Sequence, residues 1–395
     1  MPLSPIQPPD DAPVDPTPSL RLPFDPLLTL AVIGLGIASL LTLKSATADV
    51  IAGDPHYYVV RQGIYLAVGF MLMLALSRLD YARLRQFKNV IYAVLILSIL
   101  AVFGAGHSAK GSVRAISFPL FSFQASEIGK VLLVVVLSAL LVERSRRGTS
   151  RQTTAQVMIA ALIPAMLVIA QPDLGSGMVY MAIAYMLLYV AGTSWRQLAA
   201  LAALVVMAGT FVLVAAPAAG LHVLKPYEVE RLTAFLNPSA NTQGNGYQQL
   251  ESKIAIGSGQ KTGRAKPTQV RLKFLPESET DFVFAALAER YGFVGAGLVL
   301  LLYALLIWRT LRVLVMAKDL FGSLIAAGVA AMLMFQVFVN VGMTIGIMPI
   351  TGVTLPLMSY GGSSVITTLL AVGLLQSIYV QARASAALKD RVLRY

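Results

Sequence analysis

The sequence contains no cysteine among its 395 residues, and its three histidines, His56, His107 and His222, are far apart. The absence of cysteine excludes disulfides, thiolate metal sites and a cysteine nucleophile. The histidine spacing matches no known ligand motif, so a metal centre built from histidines is not expected.

Charge is also scarce: 13% of the residues are charged and 57% are hydrophobic, with a mean hydropathy of +0.73. A soluble domain is typically about 25% charged. The composition therefore indicates a polytopic membrane protein. A net charge of +12 suggests nucleic-acid binding in a soluble protein. In a membrane protein it reflects Lys and Arg retained on cytoplasmic loops and contact with anionic lipid, so no nucleic-acid partner is expected.

Apolar runs predict an all-α polytopic membrane protein with about ten transmembrane helices, since each span needs roughly 20 apolar residues. The segment QPDLG, from Gln171 to Gly175, predicts a tight reversal between the fifth and sixth spans. The predicted spans are about 27–45, 58–77, 89–104, 127–142, 155–171, 174–192, 198–216, 294–311, 321–343 and 363–381.

Positive charges predict the orientation, because basic loops stay in the cytoplasm. With the N-terminus inside, every short basic cluster falls on the cytoplasmic side. The clusters are Arg78, Arg83, Arg85 and Lys88; Arg144, Arg146, Arg147 and Arg151; Arg196; Arg309, Arg312 and Lys318; and Arg383, Lys389, Arg391 and Arg394.

Three further segments complete the predicted organisation around a transmembrane domain at 27–385. The Pro- and Asp-rich residues 1–26 predict a disordered cytoplasmic tail. Residues 386–395 form a cytoplasmic C-terminal tail. The connection 217–292, between helices 7 and 8, is far longer than the others and faces outward; loops of this length are usually functional or disordered, and its helix-like pieces favour function.

Polar groups at span ends are candidate functional groups, because burying them without partners is costly. Glu127 and Lys130 begin the fourth helix at i,i+3 spacing, as a helix-anchoring ion pair or as part of a site. Asp173 is interpreted as the N-cap of the sixth helix.

The long loop combines cations with a carboxylate at the membrane surface. Its glycine spacing fits neither a P-loop nor a dinucleotide fingerprint. Cations beside Asp281 can bind a diphosphate while the carboxylate acts as a base; the alternative is a solvated basic loop near anionic lipid. The cations are Lys261, Arg264, Lys266, Arg271 and Lys273.

These motifs resemble the shape, elongation, division and sporulation (SEDS) family, which includes RodA, FtsW and SpoVE. The resemblance covers nearly the whole chain, and TQVRLKFLPE is more similar to RodA than to FtsW. Five segments carry it in order: SFQASEIGK; QPDLGSG; RLTAFLNP with GYQQLESKIAIGSG; FLPESETDFVFAALAERYGFVGAG; and NVGMTIGIMPITGVTLPLMSYGGSS.

The resemblance implies polymerisation of lipid II, releasing undecaprenyl pyrophosphate, at the outer face of the bacterial cytoplasmic membrane. The family's essential acidic residue falls on Asp281, its paired acid and lysine on Glu127 and Lys130, and its outer-loop arginine on Arg114. It also implies a class B penicillin-binding protein as partner, for peptide cross-linking.

The sequence departs from the family pattern at four places. Glu279 replaces the histidine before Thr-Asp, Ala125 replaces the proline of Q-P-S-E, Ala115 replaces a tryptophan, and Gln260 replaces the second glycine of the GSGG run. A neighbouring Glu raises an Asp pKa where a protonated His would lower it, so the setting of Asp281 is expected to differ from the family's.

Inverting transfer from a lipid pyrophosphate needs one base and a set of cations. Asp281 is predicted to be that base or to orient the acceptor hydroxyl; the basic loop and Arg114 would hold the pyrophosphate. Because Mg²⁺ binds through one or two carboxylates plus substrate oxygens, a Mg²⁺ or Mn²⁺ ion shared by Asp281 and the phosphates is expected, with no organic cofactor. The alternatives are a lipid II flippase, a scaffold that recruits a penicillin-binding protein, and a division-type, FtsW-like polymerase.

Overall fold

The structure is a computed structural model. It describes residues 24–47, 56–105, 108–109, 112–113, 115–117, 122–145, 151–211, 235, 245–264 and 277–392. Predictions about other residues lie outside this part of the chain. These include the cations Arg114, Lys266, Arg271 and Lys273, the segment RLTAFLNP apart from residue 235, and the tail up to residue 23.

The described residues form eleven α-helices, one 3₁₀ helix and two short hairpins. The helices are α1 Pro26–Ala46, α2 Tyr57–Ser77, the 3₁₀ helix Tyr81–Phe87, α3 Lys88–Ala105, α4 Ala125–Ser145, α5 Arg151–Ala170, α6 Leu174–Val190, α7 Trp195–Thr210, α8 Asn245–Ser258, α9 Val283–Met316, α10 Leu320–Ile345 and α11 Gly362–Val392. The antiparallel hairpins pair β1 Ser108–Ala109 with β2 Ser112–Val113, and β3 Ile116–Ser117 with β4 Ser122–Phe123.

The predicted all-α membrane fold is confirmed. Eight of the helices are long and apolar enough to cross a membrane, and α6 and α7 are shorter apolar helices. Together they match the ten predicted spans. The predicted reversal is also present, since α5 ends at Ala170 and α6 begins at Leu174. The predicted long loop contains α8, as its helix-like sequence indicated.

Three helices form the centre of the bundle. In the most apolar 18-residue window of each helix, the share of buried residues is 78% for α4, 67% for α10 and 83% for α11. In the window that covers α3 it is only 17%. The outer helices pack around this centre: α2 against α11, α9 against α10 and α1, and α6 against α10 and α4. Buried apolar side chains of these helices form one continuous core.

The helices alternate in direction, so their ends collect at two faces. The site face is the end that contains residues 277–282, the hairpins, α8 and the first turns of α4 and α11. The basic face is the opposite end. Contacts there join distant connections: Tyr81 donates to Asp319 (3.1 Å) and Lys318 to Gln381 (2.7 Å). The basic clusters within the described residues therefore share one face.

The fold includes residues that the sequence assigned to both tails. Asp25 belongs to the fold: it is fully buried, caps α1 and pairs with Arg309 of α9. Gln376 of α11 exchanges hydrogen bonds with its backbone, accepting from Asp25 N (2.7 Å) and donating to Asp25 O (3.2 Å). At the other end, α11 runs to Val392 and includes most of the predicted C-terminal tail.

Helix α9 is broken near its start. Gly292 has φ +64 and ψ −163, so a short buried helix at 283–291 is separated from the long span that follows. The sequence predicted the long span from 294 and assigned the preceding residues to the loop. The short helix lies in the fold because its side chains Val283 to Glu289 are all buried.

Candidate functional site at the site face

The acidic loop, residues 277–282, is held to the bundle by its backbone. Three consecutive carbonyl groups each accept a hydrogen bond from another part of the chain. The bonds are Tyr360 N to Glu279 O (2.8 Å), Ser359 Oγ to Thr280 O (2.6 Å) and Asn340 Nδ2 to Asp281 O (2.9 Å). Side chains along the loop are thereby set in position relative to α10 and α11.

Two of the donors, Ser359 and Tyr360, belong to the α10–α11 connection at 346–361, and the third, Asn340, belongs to α10. Asn340 is fully buried and also donates to Val353 O (2.8 Å). Ser359 accepts from Leu355 N (2.8 Å) while its own hydroxyl donates to the acidic loop. The connection and the acidic loop are therefore bound to each other as a unit.

The acidic loop is also tightly turned on itself. The amides of Thr280 and Phe282 both donate to Glu277 O, each at 3.1 Å. Glu277 adopts φ +59, a left-handed conformation. Phe282, directly after Asp281, is 1% exposed, whereas Asp281 is half-buried. The structure thus presents Asp281 at the edge of the site face, two residues before the start of α9.

The predicted ion pair at the start of α4 is present. Lys130 Nζ lies 2.7 Å from Glu127 Oε1, and the residues are 1% and 4% exposed. Thr354 Oγ1 is 3.4 Å from the same carboxylate oxygen. Thr354 follows Val353, which accepts from Asn340. Glu127 of the ion pair therefore contacts Thr354, and Asn340, which holds the Asp281 carbonyl, contacts the adjacent Val353.

Asp173 caps α6, as the sequence indicated. Its Oδ1 accepts from Ser176 N (3.1 Å). Its Oδ2 accepts from Ser126 Oγ (2.7 Å) and from Gln124 Nε2 (3.2 Å). The cap therefore also fastens the SFQASEIGK segment, and with it Glu127, to the turn before α6.

The glycine-rich turn with Lys261 and Arg264 docks on the break in α9. Two backbone bonds fill the gap left by the break: Phe293 N donates to Gln260 O (2.9 Å) and Val294 N to Lys261 O (3.1 Å). Gly263 has φ +84, and a Cβ there would lie 2.1 Å from Arg290 O. The glycines therefore serve close backbone packing.

This docking separates the turn from Asp281. Arg264 N donates to Glu289 O, eight residues after Asp281, which corresponds to about 12 Å along a helix at 1.5 Å per residue. Arg264 Nε also donates to Ser258 O (3.1 Å). The backbone of the turn therefore lies at the opposite end of the short helix from Asp281, and the substrate-binding role of Lys261 and Arg264 stays a prediction.

Among the described residues, no three His, Asp or Glu side chains cluster as a metal-ligand set. Mg²⁺ needs no such set when substrate phosphates complete its coordination, since one or two carboxylates suffice. A half-buried Asp281 at the edge of the site face fits that mode of binding.

An aromatic group beside the acidic loop was missed by the sequence reasoning. The ring of Tyr360 packs edge-on against the ring of Tyr58 of α2, with 4.8 Å between the ring centroids. The centroid of the Tyr65 ring is 6.2 Å from that of Tyr360. Burial raises the pKa of Tyr360 above its usual value, and the electrostatic interaction with Tyr65 raises it further. The Tyr360 hydroxyl therefore stays protonated at neutral pH.

Asn340, Ser359 and Tyr360 lie within the family-like segment from Asn340 to Ser364, but the sequence pattern alone predicts no role for them. A signal was present for Asn340: an amide in the middle of an apolar span requires buried partners. Ser359 and Tyr360 donate hydrogen bonds to backbone carbonyls. No residue pattern in the acidic loop predicts such bonds, because every residue has a carbonyl group.

Fold and site together define a polytopic all-α membrane protein with a polar, carboxylate-containing site at one end of the bundle. The chain belongs to the cell cycle protein family of FtsW, RodA and SpoVE, whose family model matches residues 24–384. The family resemblance read from the sequence is therefore confirmed.

Three similar proteins illustrate the relationship. The probable peptidoglycan glycosyltransferase FtsW of Thioalkalivibrio sulfidiphilus is 37% identical over 92% of this chain and 90% of that protein. The peptidoglycan glycosyltransferase MrdB of Escherichia coli is 34% identical over 91% of this chain and 94% of that protein. A solved structure, described as structural coordination of polymerization and crosslinking by a peptidoglycan synthase complex, has a TM-score of 0.77 and 30% identity, covering 91% of this chain and 99% of that one.

Proposed function

We propose that this protein is a peptidoglycan glycosyltransferase that polymerises lipid II into β-1,4 glycan strands for cell elongation. The reaction takes place at the outer face of the bacterial cytoplasmic membrane. The site face is extracytoplasmic in this proposal, and both termini are cytoplasmic, in agreement with the positive-inside rule.

One observation carries the proposal: Asp281 is half-buried at the edge of the site face, on a loop whose carbonyls are bound by Asn340, Ser359 and Tyr360. A base must be held in register with its substrate, because misplacement by about 1 Å can cost 10²-fold in rate. The relatives named as peptidoglycan glycosyltransferases support the reaction class.

Asp281 is the general base in the proposed reaction. The acceptor's sugar hydroxyl attacks the anomeric carbon of the donor and transfers its proton to the Asp281 carboxylate. A new glycosidic C–O bond forms as the bond to the pyrophosphate breaks, and the electron pair leaves with undecaprenyl pyrophosphate. The displacement is single, so an α-linked donor gives a β-linked product.

Cations stabilise the leaving pyrophosphate, so no protonating acid is required. Arg114, Lys266, Arg271 and Lys273 are proposed to contact it. Lys261 and Arg264 are proposed to add to this set of cations through the positive potential of the site face. Asp281 would hold Mg²⁺ or Mn²⁺ together with substrate oxygens, and the ion would neutralise phosphate charge.

Glu127 and Lys130 are proposed to shape the substrate cavity. Their ion pair is buried and contacts Thr354, one residue from the Asn340 acceptor. It therefore supports the same connection that positions Asp281.

A class B penicillin-binding protein is the proposed partner, supplying the peptide cross-links. The structural relative whose description pairs polymerization with crosslinking supports this assignment. Overall identity does not distinguish elongation from division, because the FtsW and MrdB relatives are similarly close, at 37% and 34% identity. The proposed elongation role therefore rests on the RodA-like segment TQVRLKFLPE.

The proposal is tested with purified protein, labelled lipid II and a gel readout of polymer. The wild-type protein is assayed with and without partner and divalent ion. Asp281→Asn should lower the polymerisation rate by about 10²–10⁴, the contribution of positioned proton transfer. Glu279→Gln is the matched control: it changes a carboxylate on the same loop but keeps the backbone carbonyl, and it should remain active.

Near-normal polymerisation by Asp281→Asn would refute the assignment of the base. Absence of polymer from the wild-type protein under all conditions, together with lipid II flipping in liposomes, would favour a transporter. Complementation in cells by polymerase-dead loop variants would favour a scaffold.

A further inference from the structure

A groove of about 680 Å³ lies between α5 and α7 at the basic face, far from the acidic loop. A volume of this size is within the range of ligand pockets, about 300–1,000 Å³. Its polar end contains Arg151, Thr154, Arg196 and Gln197, and its wall is apolar, formed by residues such as Leu204 and Met207 of α7.

The groove exists because α7 is bound to the bundle mainly near its start. Tyr185 of α6 donates to Leu198 O (3.2 Å), and Thr154 of α5 donates to Gln197 Oε1 (3.1 Å). Farther along α7 the large side chains are exposed: Leu204 55%, Val206 68% and Met207 63%. An apolar surface in a membrane-spanning segment is covered by lipid chains or by another helix.

Charge at the polar end distinguishes these two occupants. Arg151 is the first residue of α5 and Arg196 the second residue of α7, and both are exposed. Neither forms a salt bridge with any other described residue. Two guanidinium groups at the mouth of an apolar groove match a phosphate attached to acyl chains, because arginine binds phosphate through paired hydrogen bonds.

The position of Trp195 places this end at a membrane–water boundary. Trp195 is 74% exposed and directly precedes Arg196. Exposed tryptophan side chains concentrate at the headgroup level of bilayers. The two arginines therefore lie at the depth where lipid phosphates are found.

We propose that the α5–α7 groove is a binding site for an anionic phospholipid of the leaflet at the basic face. The phosphate lies between Arg151 and Arg196, and an acyl chain lies along Ala200, Leu204 and Met207. The bound lipid covers the exposed face of α7. This site is independent of the proposed reaction, which takes place at the opposite end of the bundle.

The chain offers an internal reporter for a test, because it contains only two tryptophans. Trp308→Phe leaves Trp195 as the sole reporter. The full-length variant is reconstituted in phosphatidylcholine vesicles, and brominated phosphatidylglycerol or brominated phosphatidylcholine is added in increasing mole fraction. Bromine quenches tryptophan fluorescence on contact, so quenching of Trp195, which directly precedes Arg196, reports which lipid lies at the mouth of the groove.

We expect half-maximal quenching at a mole fraction of the anionic lipid that is about 25-fold lower, since two basic residues near a surface each contribute about fivefold. Arg151→Gln with Arg196→Gln should abolish the preference. Arg151→Lys with Arg196→Lys should retain most of it, which separates loss of charge from misfolding.

The mirror variant, Trp195→Phe, provides the control for general attraction to a basic surface. Its remaining Trp308 lies beside Arg309 and Arg312 on the basic face. An equal anionic preference at Trp308, or a preference that survives the double glutamine change, would overturn the proposal. Protection of Trp195 from both lipids by a co-reconstituted penicillin-binding protein would also overturn it and assign the groove to a protein helix.

Discussion

The neighbouring elements hold the acidic loop by hydrogen bonds to its backbone carbonyl groups. Ser359 shows how one side chain connects two segments: its hydroxyl donates to Thr280 O and accepts from Leu355 N. It is 1% exposed, so neither bond is replaced by bulk water when the hydroxyl is removed. The residue is a positioning residue for Asp281, because it touches the loop and not the reacting atoms.

Ser359→Ala should therefore lower kcat by about 10-fold to 10²-fold, with a smaller effect on KM, since small displacements of a positioned group are costly. Ser377→Ala is the matched control. Like Ser359, Ser377 is buried and donates a 2.6 Å hydrogen bond to a loop carbonyl, that of Leu79. It lies on α11, and its bond is at the basic face. Both changes should cost about 1 kcal/mol of stability; equal kcat values in a steady-state lipid II assay would contradict the positioning role.

The Glu127–Lys130 pair gives a second prediction for single residues. Removing one partner of a buried ion pair leaves an uncompensated charge and costs about 3–5 kcal/mol, whereas replacing both is often nearly neutral. Lys130→Met should lower the free energy of unfolding by that amount. The double variant, with Glu127→Gln added, should recover most of the loss. SDS titration of the purified protein measures both, and equal losses in the single and double variants would contradict a coupled pair.

At the scale of elements, the break in α9 and the glycine-rich turn form one joint. Gly292 and Gly263 both have positive φ, and each would clash with the other segment if it carried a Cβ. The joint lets a buried short helix, 283–291, precede a transmembrane helix along one chain. It also satisfies the backbone amides that the break frees, through Gln260 O and Lys261 O.

Gly263→Ala should lower the free energy of unfolding by at least about 2 kcal/mol. A left-handed conformation costs a non-glycine residue about 1–2 kcal/mol, and a Cβ would lie 2.1 Å from Arg290 O. Gly257→Ala on α8 is the control, because a Cβ there meets nothing within 4 Å; it should be neutral or stabilising by about 0.5–1 kcal/mol. A similar effect of both changes would mean that the joint is not rigid.

Sequence and structure agree at this scale where a strong local signal exists. The spans, the QPDLG reversal and the capping role of Asp173 follow from hydropathy, turn residues and cap chemistry. The break at Gly292 does not, because an isolated glycine is tolerated in a helical pattern and no local signal distinguishes it. The glycine-rich turn is notable in sequence for its cations, whereas in the structure its backbone makes the contacts and Gly263 permits the close packing. The carbonyl bonds to the acidic loop depend on long-range packing, which no spacing along the chain encodes.

For the whole molecule, the separation into a site face and a basic face leads to a prediction of orientation. The absence of cysteine makes single-cysteine labelling straightforward. Thr262 is exposed on the site face. Leu388 is 63% exposed and lies near the end of α11, on the basic face. A membrane-impermeant maleimide should label Thr262→Cys in intact spheroplasts and Leu388→Cys only after permeabilisation. The reverse pattern would place the acidic loop in the cytoplasm and exclude an extracytoplasmic reaction.

The contacts of Asp25 have a consequence for biosynthesis. Asp25 and its partner Gln376 are separated by 351 residues, which a ribosome adds in roughly 20–70 s at about 5–20 residues per second. During that interval the first helix has entered the membrane while the capping carboxylate of Asp25 first lacks Arg309 and the Asp25 backbone then lacks Gln376. The nascent chain therefore needs water or an insertase beside the start of its first helix until the last helix emerges and completes the contacts of Asp25.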